Sequence, residues 1–195
     1  MSFIKQNNKI VIIDNYDSFT YNLVHLVEGI INEEVTVLLN DKFEISTLES
    51  FSHIIISPGP GLPQNAGKTL EVLKTYSTTK SILGVCLGQQ AIGQVFGAEL
   101  MNLTKVFHGV ASTIKILKQD KLFTSFPEKI IVGRYHSWVI NKNNLPENLE
   151  ILAVDEEGNI MAIQHKYLKV FGVQFHPESI MTEHGKLLIE NWLKA

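Results

Sequence analysis

The chain has 195 residues, 45% of them hydrophobic, which is enough for one domain, spanning residues 1–195, with a substantial core and too little for two ordinary domains. Lys plus Arg number 17, with Arg134 the single arginine, against 20 Asp plus Glu, and the net charge of -3 leaves no electrostatic footprint for nucleic acid or an anionic membrane. One cysteine cannot make an internal disulfide, residues 1–8 lack the apolar core of a signal peptide, and no apolar run approaches the ~20 residues of a membrane span, so a soluble cytoplasmic protein with a reduced thiol is expected.

Along the chain, the β-branched runs 10–13, 35–39, 53–56 and 82–85 read as strands buried on both faces. Between the first two, Asp17 or Ser18 can cap a helix that carries Phe19, Leu23, Leu26, Val27 and Ile30 on one face and ends at Gly29 and the polar stretch 32–34. After the third run comes Ser57-Pro58-Gly59-Pro60-Gly61-Leu62-Pro63, where glycines allow close backbone approach and prolines freeze the loop. It has no Gly-Lys-Ser/Thr ending and no basic side chain, so it reads as a backbone-amide wall rather than a phosphate cradle. A helix over 68–76 follows, with Leu70, Val72 and Leu73.

The fourth run leads into Gly84-Val85-Cys86-Leu87-Gly88, the pattern of a nucleophile on a sharp strand-to-helix turn. Small residues two positions either side relieve the crowding there, and the following helix, marked by Ala91, Ile92, Val95 and Phe96, offers free N–H groups and a dipole that favour a thiolate and an oxyanion. The alternative is a small buried cysteine at a βα turn. If the loop 57–63 walls this site, the Gly59 N–H and the Leu87 N–H can share an oxyanion. The first half thus reads as βαβαβ, a mostly parallel α/β sheet with helices on both faces.

The second half is richer in strands, over 111–117, 130–140, 151–155, 159–166 and 169–175, with a hairpin turn at Glu156-Glu157-Gly158 and a small antiparallel sheet expected there. At the end of the last strand stands His176-Pro177-Glu178-Ser179. Proline extends the residue before it, so His176 and Glu178 project to one side and the carboxylate can orient the imidazole, unless His176 is simply a strand-end histidine. A terminal helix over 184–195 carries Leu187, Leu188, Trp192 and Leu193. His25, His53 and His184 fall in helix or strand patterns and read as structural or solvated, and no His/Cys/Asp cluster has metal-ligand spacing.

Taken together, Asn15-Tyr16-Asp17-Ser18-Phe19-Thr20-Tyr21-Asn22, the Ser-Pro-Gly-Pro-Gly loop, the Cys86 elbow, Arg134-Tyr135-His136-Ser137 and Phe175-His176-Pro177-Glu178-Ser179 resemble the class I glutamine amidotransferases. More narrowly they resemble the glutaminase subunits of anthranilate and aminodeoxychorismate synthases. The resemblance implies a flavodoxin-like fold with Cys86 as nucleophile, His176 as base and Glu178 as its orienter. It also implies glutamine held by Gly59, Pro60, Gly61, Leu87, Gln90, Ser137 and Trp138. His136 lies in one of these motifs but has no carboxylate two residues away, so it reads as architectural. No cofactor or metal is implied in this chain, and the implied partner is a chorismate-binding synthase subunit, component I. Gln89 and Trp138 depart from that pattern, which more often has histidine and leucine there. A cysteine hydrolase and a non-catalytic flavodoxin-like binding module are the rival readings.

Overall fold

Strand β1 (Ile10–Asp14) is buried throughout, and its alternation sends Ile10 and Ile12 into one apolar cluster and Val11 and Ile13 into another on the opposite face of the sheet. This is a computed structural model, and it describes residues 9–195; the stretch read for a signal peptide, 1–8, lies outside the described residues. The same division of alternate side chains continues through β3 (His53–Ile56) and β4 (Ser81–Val85). Helices α1 (Thr20–Ile31) and α4 (Gly185–Leu193) cover the first face, while α2 (Thr69–Tyr76) and α3 (Leu87–Val95) cover the second. Each large aliphatic side chain buried this way contributes about 1.5–3 kcal/mol.

The remaining strands are β2 (Thr36–Leu39), β5 (Leu100–Asn102), β6 (Val110–Ile116), β7 (Lys129–Arg134), β8 (Trp138–Ile140), β9 (Leu149–Asp155), β10 (Ile160–His165) and β11 (Val170–Val173). Among the described residues, nine strands form one sheet in the order β2-β1-β3-β4-β11-β10-β9-β6-β7. The first five are parallel neighbours, and from β11 outward every pairing is antiparallel. A separate antiparallel pair joins β5 to β8. The α/β architecture with helices on both faces and a small antiparallel sheet is as expected from the sequence, and the hairpin turn at 156–158 joins β9 to β10 with Gly158 at φ 75°.

Four local expectations change. The run 130–140 is broken between β7 and β8 by Tyr135, His136 and Ser137, which turn to line a pocket instead of pairing. Strand β2 sits at the sheet's margin with its ends exposed, so an apolar run there is only half covered. Helix α1 runs through Gly29 and stops at Asn32, which takes the left-handed conformation (φ 56°) that asparagine tolerates. At its start the cap position is Phe19, and the Asp17 carboxylate accepts the Phe19 N–H (2.8 Å) one residue ahead of the helix.

The outer edge of β7 is covered by the segment 176–183. The Ile131 N–H donates to Glu183 Oε2 (2.9 Å), the Glu183 N–H to the Ile131 carbonyl (2.9 Å), and the His176 N–H to the Gly133 carbonyl (3.1 Å). Thr182 Oγ1 accepts from the Gly133 N–H (2.9 Å) and donates to the His176 carbonyl (2.6 Å). The strand that leads into Tyr135–Ser137 and the loop that carries His176 are therefore one hydrogen-bonded unit.

Candidate active site

The carboxyl ends of β1, β3 and β4 bring together the segments 14–20, 57–61 and Cys86, where open α/β sheets place their ligands. Cys86 stands between β4 and α3 with φ 53° and ψ -102°, a conformation that costs a non-glycine residue roughly 1–3 kcal/mol and persists only if its surroundings impose it. The glycines at either side impose it. A Cβ on Gly84 would come within 2.4 Å of the Gly88 backbone, and one on Gly88 within 2.5 Å of the Ile56 carbonyl oxygen, so the turn is packed backbone to backbone. As the first residue of α3, Leu87 has no preceding helical carbonyl for its N–H.

The loop 57–61 is fixed against β1 by Asn15. The Asn15 N–H donates to Ser57 Oγ (2.9 Å) and its side-chain nitrogen to the Ser57 carbonyl (2.9 Å), while Asn15 Oδ1 accepts from Asn40 Nδ2 (2.9 Å) and Thr69 Oγ1 (2.7 Å). Gly59 lies so close that an added Cβ would be 2.5 Å from Asn15 Cβ and 3.5 Å from Leu87 Cδ1. The Leu87 side chain thus packs against Gly59, and both residues line one pocket with Cys86.

β11 lies beside β4 with Val173 opposite Val85, and the Cys86 N–H donates to the Val173 carbonyl (2.8 Å), so the residues after β11 emerge next to the cysteine. His176 is 2% exposed, and its Nδ1 is 2.7 Å from Glu178 Oε1, whose side chain is fully buried. Burial pulls the imidazole pKa down, but the Cys86 sulfur and then the Glu178 carboxylate push harder the other way, and the result is about 10. The ring is thus held protonated between the sulfur and the carboxyl group. Among the described residues Nε2 has no hydrogen-bond partner within bonding geometry, as is common before a ligand binds. Phe19 (ring centroids 5.6 Å apart) and Tyr135 (4.8 Å) flank the imidazole and fix its plane.

A pocket of about 260 Å³ opens at Cys86, walled by Gly59, Pro60, Gly61, Leu87, Gln90, Ser137 and Trp138 together with Tyr135 and His136. All seven residues singled out as substrate-binding line it with the cysteine. Its volume is below the usual range for drug-sized ligands, so it suits a single small molecule. Among the described residues no Asp, Glu, Lys or Arg lines it, and His136 is neutral, because burial first and the Arg134 guanidinium second lower its pKa to about 3. Arg134 Nε donates to His136 Nε2 (3.2 Å), and His136 Nδ1, carrying the remaining ring proton, is 3.1 Å from the Trp138 carbonyl. Arg134 is itself buried in an ion pair with Asp155 (2.9 Å). His136 is thus a wall residue as well as an architectural one.

Phe19 and Tyr135 lie inside two of the motifs, yet single-chain pattern gave them no role, because their contact with His176 crosses three separate segments. Gln174 was also missed, although it lies two residues before His176 in the same strand-like alternation. Among the described residues no group of three His, Cys, Asp or Glu is arranged to hold a metal ion, and no helix is long and apolar enough to cross a membrane.

The profile of the family described as glutamine amidotransferase class-I matches residues 11–195. Anthranilate synthase component 2 of Pseudomonas aeruginosa is 43% identical over 192 residues, covering 95% of this chain and 94% of its own. Aminodeoxychorismate/anthranilate synthase component 2 of Bacillus subtilis is 42% identical over 188 residues, covering 95% and 96%. Among solved structures, a glutamine amidotransferase of Thermotoga maritima superposes with a TM-score of 0.71 over 97% of this chain and 82% of its own, at 18% identity, a likeness of fold.

Proposed function

The chain belongs to the class-I glutamine amidotransferases, and on that premise we propose that it hydrolyses glutamine to glutamate and ammonia through Cys86, His176 and Glu178, delivering the ammonia to a chorismate-using synthase subunit. The observation that carries this reading is the strained Cys86, beside an imidazole that the sulfur and then a buried carboxylate hold protonated, in the wall of a small pocket with no Asp, Glu, Lys or Arg among its described lining residues.

The Cys86 sulfur attacks the side-chain amide carbon of glutamine held against the 59–61 loop, Gln90 and the 137–138 backbone. The oxygen that becomes negative is met by the Gly59 and Leu87 N–H groups, and loss of one such donor typically costs about 10²–10³ in turnover. His176 gives its proton to the departing amine, releasing ammonia and leaving a glutamyl thioester. Water then attacks the thioester, His176 takes its proton, and glutamate leaves with the sulfur restored. Every proton and electron pair is accounted for by these groups and water, so the reaction calls on no cofactor.

The partner reading follows the names of the relatives, and anthranilate is the favoured product. A shared role in anthranilate and aminodeoxychorismate synthesis is the second reading, favoured by the name of the Bacillus subtilis relative. The test is Cys86→Ala, assayed with each of the two synthase subunits. Glutamine-dependent product should vanish while ammonium-dependent product persists, and the wild-type product should be anthranilate. Glutamine use at near wild-type rate in the variant would overturn the nucleophile assignment. Product with neither subunit would return the chain to a stand-alone cysteine hydrolase.

A further inference from the structure

The residue after β11, Gln174, is fully buried beside Cys86, and its amide can be oriented from the hydrogen bonds around it. The Trp138 carbonyl can only accept, so the nitrogen of the Gln90 amide must face it, at 2.9 Å. The other N–H of that nitrogen then points to Gln174 Oε1, at 3.3 Å. This leaves Gln174 Nε2 facing the Cys86 sulfur, at 3.5 Å. Turning the Gln174 amide over would set N–H against N–H at Gln90 and carbonyl oxygen against sulfur, so the chain of acceptors from Trp138 inward permits one arrangement.

We propose that Gln174 is a further catalytic residue, whose side-chain N–H donates to the Cys86 sulfur and, through Gln90, ties the nucleophile to the pocket that receives the substrate. This rests on the reading of Cys86 as nucleophile. A donor aimed at sulfur favours the charged form over the thiol, because a hydrogen bond to an ion is stronger than one to a neutral acceptor. His176 supplies charge to the same atom, whereas Gln174 supplies a neutral N–H that needs no proton transfer and remains in place when the imidazole gives its proton to the leaving amine. Gln90 lines the pocket, so a ligand that draws on the Gln90 amide alters the grip on Gln174 and hence on the sulfur.

The experiment replaces Gln174 with methionine, which keeps length and removes the donor, and with asparagine, which keeps the amide but draws it back by one methylene. Three quantities are read on the purified chain: the pH midpoint of Cys86 alkylation by iodoacetamide, and kcat and KM for glutamine. Gln174→Met should raise the alkylation midpoint by about one pH unit, a tenfold smaller thiolate population, and lower kcat roughly in proportion with KM within about threefold. Gln174→Asn should fall between it and the wild type, and it carries the test if the methionine variant does not fold, as judged by thermal melting. A folded variant of either kind whose midpoint and kcat match the wild type overturns the proposal, as does a change in KM alone. Alkylating wild-type Cys86 separates the two readings. If glutamine hydrolysis survives alkylation, the nucleophile reading itself is wrong; if it is lost while the Gln174 variants behave as wild type, only the role of Gln174 falls.

Discussion

Glu178 has one carboxylate oxygen on His176 and the other without a partner among the described residues, so its charge serves the imidazole alone. Replacing it with glutamine keeps shape and removes charge. The carboxylate is one of the groups that raise the His176 pKa to about 10, so Glu178→Gln should move the alkaline limb of activity, where the ring loses its proton, to lower pH. Turnover should drop about a hundredfold, the lower end of what positioned acid–base catalysis contributes. A pH–rate profile with an unmoved alkaline limb would make Glu178 a structural acid. A second residue-scale prediction concerns Gln89, wholly buried on α3 with neither amide atom partnered among the described residues. An unpartnered buried polar group costs roughly 1–3 kcal/mol, so Gln89→Met should stabilise the chain, with a gain of even ~1 kcal/mol raising the melting temperature by about 2–4 °C. A lower melting temperature would show that the amide is held. His176 and Glu178 were legible because two residues in one extended segment share a side whatever the rest of the fold does. Gln174 was not legible, since its contact with Cys86 depends on β11 lying in register beside β4, a pairing between segments some 88 residues apart.

At the scale of elements, the elbow between β4 and α3 is closed by backbone contacts that leave no room for a methyl group at Gly84 or Gly88. Backbone cannot yield as a flexible side chain does, so Gly84→Ala and Gly88→Ala should each lower stability by about 1–3 kcal/mol or more and displace Cys86. Gly29 provides the internal comparison. It lies within α1 with nothing near its virtual Cβ, so Gly29→Ala should stabilise by roughly 0.5–1 kcal/mol. Urea denaturation of the three variants checks both signs, and a neutral Gly84→Ala would mean that the turn is not locked in this way. The elbow was readable because its requirement for small residues is local. The break between β7 and β8 was not, because Tyr135 to Ser137 leave the strand to line a pocket shared with residues of α3 and the 59–61 loop, which periodicity cannot see. The start and end of α1 were blurred for another reason: several nearby residues could cap it, and the packing of the 14–20 loop chose among them.

Over the whole molecule, burial keeps particular histidines neutral. His53, packed against Trp192, is lowered to about 4 by burial and then by Lys169, and His136 to about 3. Both titrate near 6.5 once unfolded, so the unfolded chain binds protons that the folded chain refuses. Stability from these groups is therefore complete above about pH 6.5 and declines as pH falls toward 4, with up to two protons taken up on unfolding. Denaturant midpoints measured across that range should fall steadily, and His53→Phe, which keeps a ring on Trp192, should flatten the slope. Midpoints constant from pH 6.5 to 4 would contradict this account. The parallel half of the sheet was foreseeable from βα alternation and short connections. The order of the antiparallel half was not, since β11 inserts beside β4 and carries β10, β9, β6 and β7 outward in an order that the chain does not follow.

That outward growth leaves β7 as the sheet's last strand, and what shields it is the segment 176–183. An unshielded strand edge is a template for self-association. Detachment of this segment would therefore silence the enzyme and expose a sticky margin in the same event, so heat or mild denaturant should inactivate the protein and make it aggregate together, before the parallel core beneath has come apart.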